Sequence, residues 1–323
     1  KLNRITLQCR EKYPQNLRKN YKHEVARLLK LNVKTPQINE KLRNDCVTTE
    51  TIHYFFDNTY NEKMCTGVPP QLCFNADETS VEVGDPKKII IPAEEKEGRK
   101  INKFKASSHI SALIVINAVG DDINHFVIVP LKNLPRDLTP LVVGQKINIV
   151  GSQNGWIDDN CFFNWAKKIV IRVNEIREIY NFDKHQKAIL FLNGHGTRNN
   201  REIMNLFKSE NIEVIIFPPH LTHLLQPFDR VVPRPLNDAL SRIASQIINE
   251  IDYYQETKSS ILRSAQIQSL LDAYRISTTR HNCITAFEAC GLLPLNPEKI
   301  LKDKKVHISK KISSKQILLM EIQ

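Results

Sequence analysis

The order of apolar segments predicts a mixed α/β fold, on three observations. Short strand-like runs at Leu72 to Asn75, Ile89 to Ile91, Ile110 to Ala118 and Phe126 to Val129 follow one another across charged turns such as Gly120-Asp121-Asp122, the pattern of a meander. A long helix is then expected from about Trp156 to Tyr180, with Phe162, Trp165, Ile169, Val173 and Ile176 on one face. After it, Ala188 to Leu192, Arg201 to Ser209 and Val214 to Phe217 read strand, helix, strand. Continuous apolar strands joined in that way run parallel and are covered on both faces.

The flanks read as helical. In residues 1–66, Val25, Leu28, Leu29 and Val33 sit at helical spacing with basic residues between them, and Ile52, Tyr54, Phe55 and Phe56 form an apolar cluster. Composition changes at Gly67-Val68-Pro69-Pro70. From Pro235 a helix carries Leu236, Leu240, Ile243, Ile247 and Ile251, further helices are expected over 260–276 and 282–290, and Gly291 followed by Pro294 is a helix stop. The expected partition is a basic helical segment at 1–66, a mixed-sheet domain at 67–255 and a helical extension with a basic tail at 256–323. Meandering strands, then helix, strand, helix, strand and closing helices are the order of a ribonuclease H-like α/β sheet flanked by helices.

Composition narrows the function. With 323 residues, 41% hydrophobic and 25% charged, the chain can bury a sizeable core, which excludes disorder and collagen-like order. Apolar runs such as Ala112 to Ile116 are far shorter than the roughly 18 to 20 residues that cross a bilayer, so no membrane span is expected. The chain opens on Lys1 and not Met, and is read as a fragment or processed form. Only 10 residues are Gly, and no phosphate-binding loop or nucleophile-elbow string occurs. Seven cysteines without a C-x-x-C pair argue against a disulfide framework and a zinc ribbon, and for a reducing compartment.

Charge is concentrated at the ends. Of the net +11, residues 1–30 hold +7 and residues 299–315 hold +6, which leaves −2 between them. A near-neutral centre with cationic ends suits a polyanion, because each Lys or Arg set on a phosphate releases a counterion. Lys12, Arg18, Lys19 and Lys22 at one end, and Lys304, Lys305, Lys310 and Lys311 at the other, are the candidate nucleic-acid contacts. The alternative is a pair of solubilising tails.

Three polar residues close apolar segments: Asp77 after Phe74-Asn75-Ala76, Asn193 after Ile189 to Leu192, and Asp229 after Leu224-Leu225-Gln226-Pro227-Phe228. A carboxylate there is costly unless it is hydrogen-bonded, solvated or on a metal. A turn-forming Asp or Asn explains any one of them; three around one sheet point to a site. Glu78 adjoins Asp77, but strand alternation turns it to the other face. His220 and His223 have H-x-x-H spacing, and His195 is a third histidine, yet Pro218-Pro219 suggest a loop and argue against zinc. A place beside the phosphate path suits these histidines better. Phe162 and Trp165 read as core, and no pattern supports a cysteine nucleophile.

The ordered motifs Asn75-Ala76-Asp77-Glu78-Thr79, Gly155-Trp156, Leu192-Asn193-Gly194-His195-Gly196, Pro218 to Asp229 and Ala286 to Pro297 span about residues 48–301. Over that span the sequence resembles the DDE-superfamily endonucleases of pogo/Tigger-like transposases, with host proteins such as jerky and centromere protein B. The resemblance implies a ribonuclease H-like domain in which three acids hold two Mg²⁺ or Mn²⁺ ions about 3.5–4 Å apart for phosphodiester cleavage and strand transfer. Asp77 matches the first acid and Asp229 the third. The second acid's position holds Asn193, so the catalytic and metal set read from the sequence is Asp77, Asn193 and Asp229.

Asn193 supplies a neutral carbonyl oxygen where the family has an anion, which predicts weak or absent cleavage. Two origins fit: a domesticated transposase that lost its nuclease, or an active transposase in which an engineered Asn replaces Asp. The family usually has a Gly two residues after the third acid, whereas Arg230-Val231-Val232-Pro233-Arg234-Pro235 follow here. That places the helix start near Pro233 to Pro235 and leaves Asp229 on its approach. The partner expected is double-stranded DNA, in the nucleus, with no membrane and no small-molecule cofactor, and a homodimer left open. Residues 1–50 hold at most a remnant of a helix-turn-helix domain. The reading thus divides among a nuclease, a DNA-binding protein that keeps the fold without the chemistry, and a plain interaction module.

Overall fold

The structure, a computed structural model, describes residues 47–81, 110–121, 123, 125–130, 147–152, 157–194, 200–252 and 259–306. Helix α1 (Thr49–Tyr54) starts where the Thr48 hydroxyl accepts from the Thr51 amide and the Thr51 hydroxyl accepts in return from the Thr48 amide, a reciprocal cap. It runs on into a π-helical turn at Phe55–Thr59, and α2 (Glu62–Cys65) follows. Four strands come next: β1 (Cys73–Val81), β2 (Ile110–Asn117), β3 (His125–Pro130) and β4 (Ile147–Ser152).

Helix α3 (Asp159–Ile179) is capped by Asp158, whose carboxylate accepts from the Cys161 amide at 2.7 Å. Its Phe162, Trp165, Ile169, Val173 and Ile176 recur at spacings of three and four and are all buried. After it come β5 (Ala188–Leu192), α4 (Arg201–Ser209), β6 (Ile212–Ile216), α5 (Thr222–Leu225) and α6 (Pro227–Val231). The last described elements are α7 (Pro233–Asp252), α8 (Ser259–Ser277), α9 (Arg280–Ala289) and α10 (Glu298–Leu301).

The sheet order is β4-β3-β2-β1-β5-β6. β1, β2 and β3 form the expected antiparallel meander, while β1 pairs parallel with β5 and β5 parallel with β6. All five residues of β5 and all eight of β2 are buried, as continuous apolar strands in a sheet covered on both faces require. β4 is an edge strand parallel to β3 that the apolar pattern did not announce. The last strand lies at Ile212–Ile216, two residues earlier at its start than the sequence predicts. The strand expected at Ile89 to Ile91 and the basic helices expected in residues 1–46 lie outside the described residues.

The described residues belong to one compact unit, and residues from both sides of positions 66 and 255 share its core. Phe55 packs against Phe217 with ring centroids 5.9 Å apart, and Tyr60 meets Phe191 edge-on at 4.9 Å. The Tyr60 hydroxyl donates to the Leu292 carbonyl at 2.9 Å, and the Tyr274 hydroxyl of α8 donates to the Val115 carbonyl of β2 at 2.7 Å. Residues 47–60 and the helices after residue 259 therefore complete the core of the sheet domain and do not form separate layers outside it.

Candidate functional site

The site begins on β1, whose residues 75 and 77 share a face because strand side chains alternate with a period of two. Asn75 is fully buried and Asp77 is 8% exposed. The parallel register pairs Asn75 with Phe191 on β5, and two residues further along both strands Asp77 comes beside Asn193. There the Asn193 Nδ2 donates to Asp77 Oδ1 at 3.0 Å. That bond fixes the amide orientation, since turning it would set its carbonyl oxygen against the carboxylate.

Asp229 arrives from β6. Pro218 ends that segment's extended run, its carbonyl accepts from the Leu221 amide, and the one-turn helix α5 leads to α6. Pro227 occupies the first turn of α6, where a missing amide costs nothing. The long helix α7 starts at Pro233, within the Pro233 to Pro235 start expected from the sequence, but the short helix α6 precedes it from Pro227, so Asp229 sits inside a first helical turn and not on an unstructured approach. Pro233 opens the next helix, to which the Leu236 amide bonding the Val232 carbonyl ties it.

One side chain joins the three elements. Asn75 Nδ2 donates to the Phe191 carbonyl of β5 at 3.1 Å, and Asn75 Oδ1 accepts from the Phe228 amide of α6 at 2.8 Å. Asp77, Asn193 and Asp229 follow the three bonded residues by two, two and one positions, so the clamp sets all three at one rim of the sheet. Asp77 and Asn193 are in direct contact. Asp229 is half-buried and held through its neighbour Phe228. It also lies near Cys290, whose thiol is pushed up by burial, with Arg230 lowering it and Asp229 raising it further.

The other candidates fall as follows. Phe162 and Trp165 are buried core residues stacked at 4.9 Å. His223 lies in α5, where the sequence suggests a loop, while exposed His220 precedes it with a left-handed φ of 66°. Among the described residues no group of three or more His, Cys, Asp or Glu could hold a metal ion. Glu78 has a buried Oε1 with no hydrogen-bond partner among the described residues. Lys304 and Lys305 are exposed on the turn after α10. Lys12, Arg18, Lys19, Lys22, Lys310, Lys311 and His195 lie outside the described residues. Sequence reasoning quoted Asn75 only as part of a motif. A buried amide on a strand, on the same face as an acid two residues on, was the signal that could have singled it out.

A pair of Mg²⁺ or Mn²⁺ ions needs anionic oxygens facing a shared space. The rim offers two carboxylates and one carboxamide, and the carboxamide turns its N–H, which is no ligand, toward Asp77. The residues present do not fit a three-carboxylate, two-metal site.

A family model described as DDE superfamily endonuclease matches residues 120–287, just over half of the chain, and takes in Asn193 and Asp229. The chain belongs to the DDE superfamily endonucleases. Among curated relatives, this DDE-family chain is 26% identical over 231 residues to the MFS-type transporter clz9 of Cochliobolus lunatus, covering 68% of the chain and 23% of that protein. It is 25% identical over 170 residues to the pogo transposable element with KRAB domain of Homo sapiens, covering 51% of the chain and 26% of that protein. The chain spans about a quarter of the length of these curated relatives. Among the described residues no helix is long and apolar enough to cross a membrane. The crystal structure of the Mos1 strand transfer complex matches with a TM-score of 0.52 at 12% identity, covering 90% of this chain and 69% of that one. That likeness is one of fold, and the DDE-family domain has the ribonuclease H-like mixed sheet flanked by helices.

Proposed function

We propose that this chain is a transposase-derived, nuclear DNA-binding protein whose DDE endonuclease domain has lost most or all of its cleavage activity. The observation that carries this reading is the 3.0 Å bond from the Asn193 amide to the Asp77 carboxylate. A dication between these two side chains would need an oxygen from each, and one of the two presents a donor. The exchange also removes one negative charge that two dications would feel. If that interaction is worth several kcal/mol, the rate falls by several powers of ten, since each ~1.4 kcal/mol is tenfold. The cationic ends of the sequence support DNA as the partner, since they supply sequence-independent affinity for phosphates.

The test is nicking of supercoiled plasmid in Mg²⁺ and in Mn²⁺ by the chain as it stands and by Asn193→Asp. The expected result is no nicking by the first and metal-dependent nicking by the second. Brisk nicking by the unchanged chain would overturn the reading.

A further inference from the structure

Arg230 directly follows Asp229, and its Nη1 donates to Asp303 Oδ2 at 3.1 Å, with the two side chains 25% and 17% exposed. The other carboxylate oxygen, Oδ1, accepts from the Lys305 amide at 3.1 Å, and the Asp303 carbonyl accepts from the Val306 amide at 2.9 Å. Burial pushes the Asp303 pKa up, but the Lys305 amide and the Arg230 guanidinium outweigh it and the net shift is downward. From the other side the turn is held by Ile300 of α10, which is fully buried in the core. The segment 298–306 is therefore pinned at two points, one of them the helix that carries Asp229.

This pinned turn is strongly cationic. Lys299, Lys302, Lys304 and Lys305 are exposed. Lys302 faces Glu298 at 3.5 Å, but both side chains are largely solvated, and such a pair contributes little. Among the described residues no carboxylate lies within ion-pair distance of Lys299, Lys304 or Lys305. Lysine ammoniums of this kind hold phosphate oxygens as point charges. Asp303 removes one positive charge from the patch, yet it fixes the turn that presents the others, which lowers the cost of ordering that turn on binding.

We propose that residues 298–306 form a DNA-backbone platform latched to α6 by the Arg230–Asp303 ion pair, so that Lys299, Lys304 and Lys305 hold duplex phosphates beside the rim of Asp77, Asn193 and Asp229. Arg230 acts here as the strut, and Asp303 as a positioning residue that touches no phosphate. This rests on the DNA-binding reading given above and adds where the backbone is gripped and what orients the grip.

The test measures binding of the full chain to a random-sequence duplex of several helical turns by fluorescence anisotropy across a NaCl series, with far-UV circular dichroism of each variant as a check on folding. The unchanged chain is expected to show a steep fall of log K with log salt. Lys304→Gln/Lys305→Gln changes only exposed side chains and should make the slope shallower by roughly 2, about one unit for each phosphate that is no longer held. Asp303→Asn raises the net charge by one, so charge alone predicts tighter binding, whereas loss of the latch predicts weaker binding. An unchanged slope in the lysine variant, or tighter binding by a folded Asp303→Asn, overturns the platform and leaves the DNA reading standing. No salt-dependent binding by the unchanged chain overturns both.

Discussion

At the scale of single residues, the chemistry of the rim is decided by two amides. Asn193 donates to the Asp77 carboxylate, and Asn75 ties β5 and α6 to β1 through two hydrogen bonds. Asn75→Ala would leave the Phe228 amide and the Phe191 carbonyl without their partner. Each orphaned buried group costs about 1–3 kcal/mol, so the variant should lose about 2–6 kcal/mol of stability, read as a lower urea midpoint. Asn75→Asp keeps the acceptor but loses the donor and adds a buried charge, and should be no better. An unchanged midpoint in Asn75→Ala would show that α6 does not depend on the bond. Asp77, Asn193 and Asp229 were legible because each interrupts or closes an apolar stretch. The role of Asn75 was not, because its partners lie 116 and 153 residues away along the chain.

Among the elements, β5 has the greatest hold on the site. Phe191 stacks on Phe217 at 5.6 Å, meets Tyr60 edge-on and touches Phe287 of α9 at 6.3 Å. Truncation to Ala removes this junction two residues before Asn193. Phe191→Ala should cost about 3–5 kcal/mol, and thermal unfolding of the variant measures it. A loss under about 1 kcal/mol would mean the neighbouring rings close the gap. β2 and β5 could be read from sequence because their runs are buried throughout, and α4 because its buried Ile203 and Phe207 recur at helical spacing. β4 could not, since Asn148 and Gly151 interrupt it and its strand pairing comes from β3, a partner that local pattern does not reveal. The short helix α6 was hidden by the downstream prolines: Pro233 and Pro235 drew attention, while Pro227 is the one that starts the turn holding Asp229.

For the whole molecule, one core drawn from residues 47 to 300 carries a set of buried thiols. Burial pushes the thiols of Cys73 and Cys283 up to about 12 from the ordinary 9.0, and that of Cys161 up to about 11, with help from the Asp158 carboxylate. In the unfolded chain these groups lose their protons near pH 9.0, while in the folded chain they keep them, so the native state binds more protons there. Stability is accordingly full below about pH 9 and falls as pH rises toward the folded values. In reducing buffer the urea midpoint should therefore decline steadily from pH about 9 to about 11, and a flat profile would contradict the burial of these thiols. Tyr60, Tyr274 and Phe287 make their core contacts across distant parts of the chain, which composition cannot show. The central place of β1 between an antiparallel and a parallel neighbour has its own consequence. Any shortened product initiated or cleaved downstream of Val81 would be left with two half-sheets and no strand to splice them, and would forfeit fold and rim in the same step.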